Sequence, residues 1–222
     1  MDGRYTQILK DGFPVFSGAA SGLGLLQTPP LDLKQVEIIK GSSSTLYGGG
    51  AIAGLVNLIS KTPEKERDFS IHLNGTTGKG LDVNSFFGQK FNKVGTTVFA
   101  SYNRNWAYDP SDVGFTAIPK FDRFVFNPKL FLYLSENTDF NFGINSMIEN
   151  RLGGDMEYVK DKGNEEHSYF ERNKTQRHSS QLTFEHRFDK QNRLNVKNSV
   201  TYFSRKIEIP VSYTHLTLPT IR

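Results

Sequence analysis

Cysteine is absent from all 222 residues, which excludes disulfide frameworks, thiolate metal sites and cysteine nucleophiles. Long apolar runs are missing too. No stretch approaches the ~20 consecutive apolar residues of a membrane-spanning helix. Charge of one sign is scarce in excess: 27 Lys and Arg against 23 Asp and Glu leave a net +4. The cations are not gathered into the patch or stripe that nucleic acid requires, so no nucleic-acid partner is expected. A leader is not visible either. Met1-Asp2-Gly3-Arg4 opens with an acid, and no apolar segment follows it.

Catalytic signatures are also wanting. Gly75-Thr76-Thr77-Gly78-Lys79-Gly80 has the glycines of a phosphate loop only in part, because Leu81 stands where that loop needs Lys. Gly22-Leu23-Gly24 lacks a third glycine at Gln27, so it is no dinucleotide fingerprint. In Gly41-Ser42-Ser43-Ser44-Thr45 the second glycine of a nucleophile elbow is replaced by Thr45. His178 and His186 share a strand face but stand roughly 25 Å apart by strand rise, too far to hold one metal. No catalytic residue, metal site or cofactor is expected.

What is present falls into two compositions. Residues 1–66 carry 10 of the 20 glycines but only four aromatics, Tyr5, Phe13, Phe16 and Tyr47. Residues 67–210 carry 23 of the 28 aromatics. The change falls in the charged, Pro-containing stretch Lys61–Arg67, which reads as a linker.

The second region alternates with period two. In Asp139-Phe140-Asn141-Phe142-Gly143-Ile144-Asn145, apolar side chains face one way and Asn or Gly the other. Gln181–Phe188 and Leu194–Tyr202 repeat the pattern. Seven strands follow, near 69–77, 82–92, 95–106, 123–135, 139–150, 175–188 and 193–207. Several reach the ~9–11 residues of a tilted membrane-spanning strand. Short polar turns at 92–94, 135–138 and 189–192 alternate with long connections at 107–122 and 151–174; 78–81 is short where the alternation asks for a long one. Short turns at one end and long loops at the other mark outer-membrane barrels. Trp106 and Tyr108 then read as interface aromatics, and the charged loop 151–174 as a solvated surface loop. Periodicity alone also leaves open a soluble antiparallel sandwich.

The first region narrows the choice. Leu33-Lys34-Gln35-Val36-Glu37-Ile38-Ile39-Lys40 and Leu55-Val56-Asn57-Leu58-Ile59-Ser60-Lys61 read as strands around a turn of small residues, Gly41 to Gly54. Residues 3–63 closely resemble the C-terminal half of the plug domain of TonB-dependent outer-membrane receptors. The resemblance rests on Ile8-Leu9-Lys10-Asp11-Gly12, on Leu33 through Gly41, on Ser44-Thr45-Leu46-Tyr47-Gly48, and on Ala51 through Pro63. Ser42 replaces a frequent Pro and Ala53 a frequent Gly, both with a small residue.

The resemblance implies a mainly β fold: a partial plug domain at 1–63, then strands at 64–210 of an incomplete antiparallel transmembrane β-barrel. It implies about seven strands of a family barrel of about 22. The sequence is expected to be a fragment lacking leader, TonB-contacting box and first half-plug. Residues 211–222, Val211 to Arg222, are expected to be a non-native tail resembling translated sequencing adapter. Asp11, Gly12, Glu37, Gly41, Tyr47, Gly48, Gly54 and Asn57 are the expected structural motif of the plug. Phe16, Ser17, Leu23 and Leu25, in an apical plug segment, are the expected substrate contacts. The implied activity is TonB-dependent uptake of a scarce bulky solute, such as a ferric siderophore, across the bacterial outer membrane. Its implied partners are the inner-membrane TonB complex, a small-molecule metal chelate and the lipid bilayer. A substrate-sensing signalling receptor and a soluble β-rich binding or structural protein stand as alternatives.

Overall fold

The computed structural model describes residues 6–15, 27–41 and 51–210, which form two sheets. The smaller sheet holds β1 (Thr6–Lys10), β2 (Phe13–Pro14), β3 (Leu33–Lys40) and β4 (Gly54–Ser60), in the order β2-β1-β4-β3. Asp11 and Gly12 join β1 to β2 with φ of +56° and +79°. A two-residue hairpin turn with both central residues left-handed favours this Asp-Gly pair, because Gly has no Cβ and Asp tolerates the region. β1 lies parallel to β4, with Ile8 opposite Val56, and β3 lies antiparallel to it. Ile8, Leu9, Phe13, Leu55 and Leu58 are buried. Each such burial is worth about 1.5–3 kcal/mol, which holds this small sheet together.

The larger sheet is an uninterrupted antiparallel meander of seven strands. These are β5 (Asp68–Thr76), β6 (Gly80–Phe91), β7 (Val94–Asn105), β8 (Lys120–Ser135), β9 (Thr138–Gly154), β10 (Phe170–Arg187) and β11 (Arg193–Glu208). All seven strands expected from the alternation are present. Short turns at 92–93, 136–137 and 188–192 lie at one end. At the other end are the 77–79 turn, the loop 106–119 and the loop 155–169, which contains the single-turn helix α1 (Met156–Val159).

The strand ends nearest the long loops differ from expectation. β8 begins at Lys120, β9 runs on to Gly154, and β10 starts at Phe170. Asn150–Arg151–Leu152 and Arg172–Asn173–Lys174 stay in register across the β9–β10 ladder although the residues there no longer alternate apolar with polar. β8 to β11 are 16, 17, 18 and 16 residues long, well beyond a membrane crossing of ~9–11. Above the lipid, backbone pairing continues while no solvent difference remains to enforce an apolar face.

The two faces of this wall have opposite chemistry. Phe124, Phe126 and Leu130 of β8, Phe142, Ile144 and Ile148 of β9, and Val196, Val200 and Tyr202 of β11 stand exposed on one face. The other face carries Asn84, Thr97, Ser101, Asn127, Glu149, Thr175 and Gln181, all buried. A soluble sandwich would bury the apolar face and expose the polar one. Here the polar face is covered by the smaller sheet, and the apolar face is left outward, as a lipid-facing surface requires. Among the described residues, Phe86, Phe99, Val125 and Met147 form an apolar cluster on the inner face.

Candidate functional site

The site is the seam between the small sheet and the inner face of the wall. Within the small sheet, Asn57 bridges its neighbours. Its Oδ1 accepts from the Gly12 N–H at 3.0 Å, and its Nδ2 donates to Glu37 Oε2 at 3.0 Å. Asp11 accepts from the Ser60 N–H at 2.8 Å and the Ser60 hydroxyl at 2.9 Å. Four of the expected motif residues thus meet in one hydrogen-bonded strip across β1, β4 and β3. Gly41 and Gly54 sit at strand ends with φ of +91° and +144°. A Cβ on Gly54 would lie 2.6 Å from the Ile39 carbonyl oxygen, so only glycine fits there. Tyr47 and Gly48 lie outside the described residues. So do Phe16, Ser17, Leu23 and Leu25, and the tail 211–222.

The seam itself is ionic. Lys10 Nζ lies 2.6 Å from Asp32 Oδ2, with both side chains almost wholly buried. Asn127 of β8 donates to the same oxygen at 3.0 Å, and Gln181 of β10 reaches the Lys10 carbonyl at 3.4 Å. Lys129 of β8 pairs with Asp11. Burial alone would raise the Asp11 carboxyl; the Lys129 ammonium, the Ser60 N–H and Lys10 outweigh it and hold Asp11 below the usual carboxylate range.

A second knot lies nearer the long loops. Glu149 of β9, 1% exposed, accepts from Arg123 Nε at 2.7 Å, from Arg151 Nε at 3.1 Å and from Gln27 Nε2 at 2.9 Å. Gln27 comes from the segment leading into β3; the arginines come from the wall. Buried charges of this kind persist only when paired and hydrogen-bonded on all sides.

The sequence did not single out Lys10, Asp32, Asn127, Lys129, Arg123, Glu149 or Gln181 as site residues. The available signal was their position: each wall residue among them falls on the polar phase of the alternation.

The chain between the sheets packs on the wall as well. Glu64 O accepts from Lys90 N at 2.7 Å, and a Cβ on Gly95 would lie 2.6 Å from Pro63 Cγ. At the long-loop end, loop 106–119 is tied to loop 155–169. Thr116 N–H donates to the Gly154 carbonyl at 2.9 Å, and Met156 N–H to the Gly114 carbonyl at 2.9 Å. Asp155 caps α1 by accepting from the Glu157 and Tyr158 N–H groups, and meets His167 Nδ1 at 2.8 Å. The hydrogen bond that His167 donates to the Asp155 carboxylate, and that carboxylate's negative charge, raise the His167 pKa. Among the described residues, no three His, Asp or Glu side chains converge as a metal site would.

A small sheet seated on the polar lining of an outward-apolar antiparallel wall is a barrel-and-plug arrangement. Residues 1–55 match the family model described as the TonB-dependent receptor plug domain. Residues 1–55 are therefore similar in sequence to that plug domain, and the fold of the described strands is similar to that of solved outer-membrane receptors. It is 35% identical over 81 residues to the iron-regulated outer membrane virulence protein of Vibrio cholerae; the match covers 33% of this chain and 12% of that protein. It is 34% identical over 64 residues to the ferric aerobactin receptor of Klebsiella pneumoniae, covering 29% of this chain and 9% of that one. Its fold is similar to the alcaligin outer membrane receptor of Bordetella pertussis. That likeness has a TM-score of 0.70 at 15% identity and covers 91% of this chain and 31% of that one. The siderophore receptor PiuA of Acinetobacter baumannii matches with a TM-score of 0.64 at 16% identity, covering 91% and 29%.

Proposed function

We propose that this chain serves TonB-dependent uptake of a scarce, bulky solute, with a ferric siderophore as the substrate class to test first. The observation that carries the reading is the plug sheet docked on a polar lumen lining by ion pairs and hydrogen bonds. Such a seam excludes leakage yet opens onto water when the plug shifts, unlike an oily one. Energy enters mechanically: the inner-membrane TonB complex pulls on the plug, and no bond in the solute is made or broken. A ferric chelate comes first because similar curated proteins bear iron-regulated and ferric-aerobactin names, and a cobalamin comes second because another is a vitamin B12 transporter. The stretch Phe16, Ser17, Leu23 and Leu25 is the proposed solute contact of the plug apex. The N-terminal boundary 1–63 and the strand region 64–210 are the proposed units.

The test is uptake of iron-labelled siderophores by cells whose only receptor is the membrane-folded protein carrying this sequence. Uptake abolished by a protonophore, with binding retained, is the expected outcome. Uptake that survives the protonophore overturns the reading. A disulfide engineered between the plug and the wall should likewise stop uptake and spare binding. Replacing Phe16 and Leu23 by Ala should weaken binding without loosening the plug, and unchanged binding would remove them from the proposed contact set.

A further inference from the structure

The seam holds a cation that the ion pairs described above leave over. Arg177 of β10 points into a cavity between plug and wall, lined by Lys10, Thr28, Asn145, Ser179 and Gln181 among others. The Lys10 charge on that lining is taken up by Asp32. Among the described residues, Arg177 has neither a hydrogen bond nor an ion pair, and its charged neighbours are Arg123 and Arg205, both of like sign. Arg123 is already held by Glu149. One net positive charge therefore faces the cavity.

A second, independent observation points the same way. Asn145 lines the same cavity, and both of its side-chain polar atoms are buried with no hydrogen-bond partner. Asn145 stands opposite Ser179 in the β9–β10 ladder, and Met147 opposite Arg177. Arg177 and Asn145 are thus diagonal neighbours on the inner face, within joint reach of one small group. A guanidinium presents several N–H donors in a fixed fork, and the amide adds another. Leaving both unsatisfied at a buried seam is costly.

We infer that Arg177 and Asn145 form a binding site for a compact monoanion, a carboxylate group or a halide, clasped between the wall and the plug. The room of ≈ 40 Å³ takes a group of that size and no whole chelate. Lys10 on the plug side also lines the cavity, so the site lies at a joint between the two sheets. The anion binds only while the plug is seated, so it stabilises the seated state by mass action. The site stands whether or not the chain carries an iron chelate.

The test uses the membrane-folded protein in detergent micelles at constant ionic strength. Gluconate is replaced stepwise by acetate in one series and by bromide in another, and thermal release of the plug is followed by proteolysis. Wild type should show saturable stabilisation, and Arg177→Gln should need at least tenfold more anion. A response to acetate alone assigns the site to carboxylate groups; a response to bromide, with an anomalous peak beside Arg177, assigns it to inorganic anions. Lys162→Gln, on the far loop, should behave as wild type. If Arg177→Gln does not fold, Asn145→Ala reads the same dependence. No anion dependence in wild type, or equal dependence in the Arg177 variant, overturns the site.

Discussion

The plug sheet and the wall are both antiparallel-rich β structure, yet they are held by different means. The wall is a ladder: seven strands share long registers, and among the described residues its inner apolar cluster has four members, Phe86, Phe99, Val125 and Met147. The plug has short strands and depends on side chains. Leu9, Leu55 and Leu58 form its apolar centre, and Asn57, Asp11 and Ser60 tie its strands. The difference teaches where each part can yield. A wall secured by backbone pairing tolerates side-chain change; a plug secured by a few side chains is sensitive to single substitutions and is the region of lower local stability.

The comparison can be broken most sharply at the seam. Asp32→Ala leaves Lys10 buried without its partner, and about 3–5 kcal/mol should be lost from plug seating. Denaturant melts with protease readout of the plug would show it, while the wall's own transition stays in place. Replacing both residues by apolar ones of similar volume should restore most of the loss. Equal damage from the double variant would mean that the pair matters for something other than its buried charge.

The two wall faces provide the next contrast. Phe142→Arg puts a cation on the lipid side and should cost about 2–4 kcal/mol of folding in bilayers. Asn141→Arg, one residue away on the lumen side, should cost far less. Refolding titrations in lipid vesicles would compare them, and similar costs would dissolve the assignment of faces.

Within the plug, Gly54→Ala should cost about 1–3 kcal/mol, because the new Cβ meets the Ile39 carbonyl at a strained φ. Gly75→Ala, in an exposed strand of the wall with nothing near the added carbon, should cost under half as much. Equilibrium melts of the two variants decide whether the plug is in fact the less forgiving region.

The smallest effect belongs to the loops. His167 has its pKa raised by Asp155, so the pair's contribution is complete below about pH 6.5. It is lost as pH rises through the higher folded value. Proteolysis of loop 155–169 should quicken above that range in wild type and be nearly flat with pH in His167→Gln. The opposite holds for Asp11: its carboxyl is held low, so plug seating should weaken only as pH falls through that lowered value.

The wall was legible in the sequence because each strand repeats one rule, apolar side chains every second residue, between turns of fixed chemistry. Phe140 to Asn145 announce a strand without reference to anything else. Strand ends near the long loops were not legible, since Lys120–Phe121 and Arg172–Lys174 pair above the lipid, where the rule lapses. Asp11-Gly12 showed its turn, but the parallel pairing of β1 with β4 joins residues some fifty apart and leaves no local mark. The seam was hidden for the same reason. Asp32 and Asn127 are 95 positions apart, and Lys129 and Asp11 are 118 apart. A lysine such as Lys10 looks like any surface lysine until its partner is placed beside it.

The alternation of faces has a consequence for how such chains drift. A wall strand is two interleaved texts: one set of alternate letters is addressed to oil, the other to the plug. Either text can be redrafted while the other is kept, and backbone pairing, which reads neither, goes on unchanged. That is how a fold can stay superposable on the alcaligin receptor at a TM-score of 0.70 with only 15% of its letters shared.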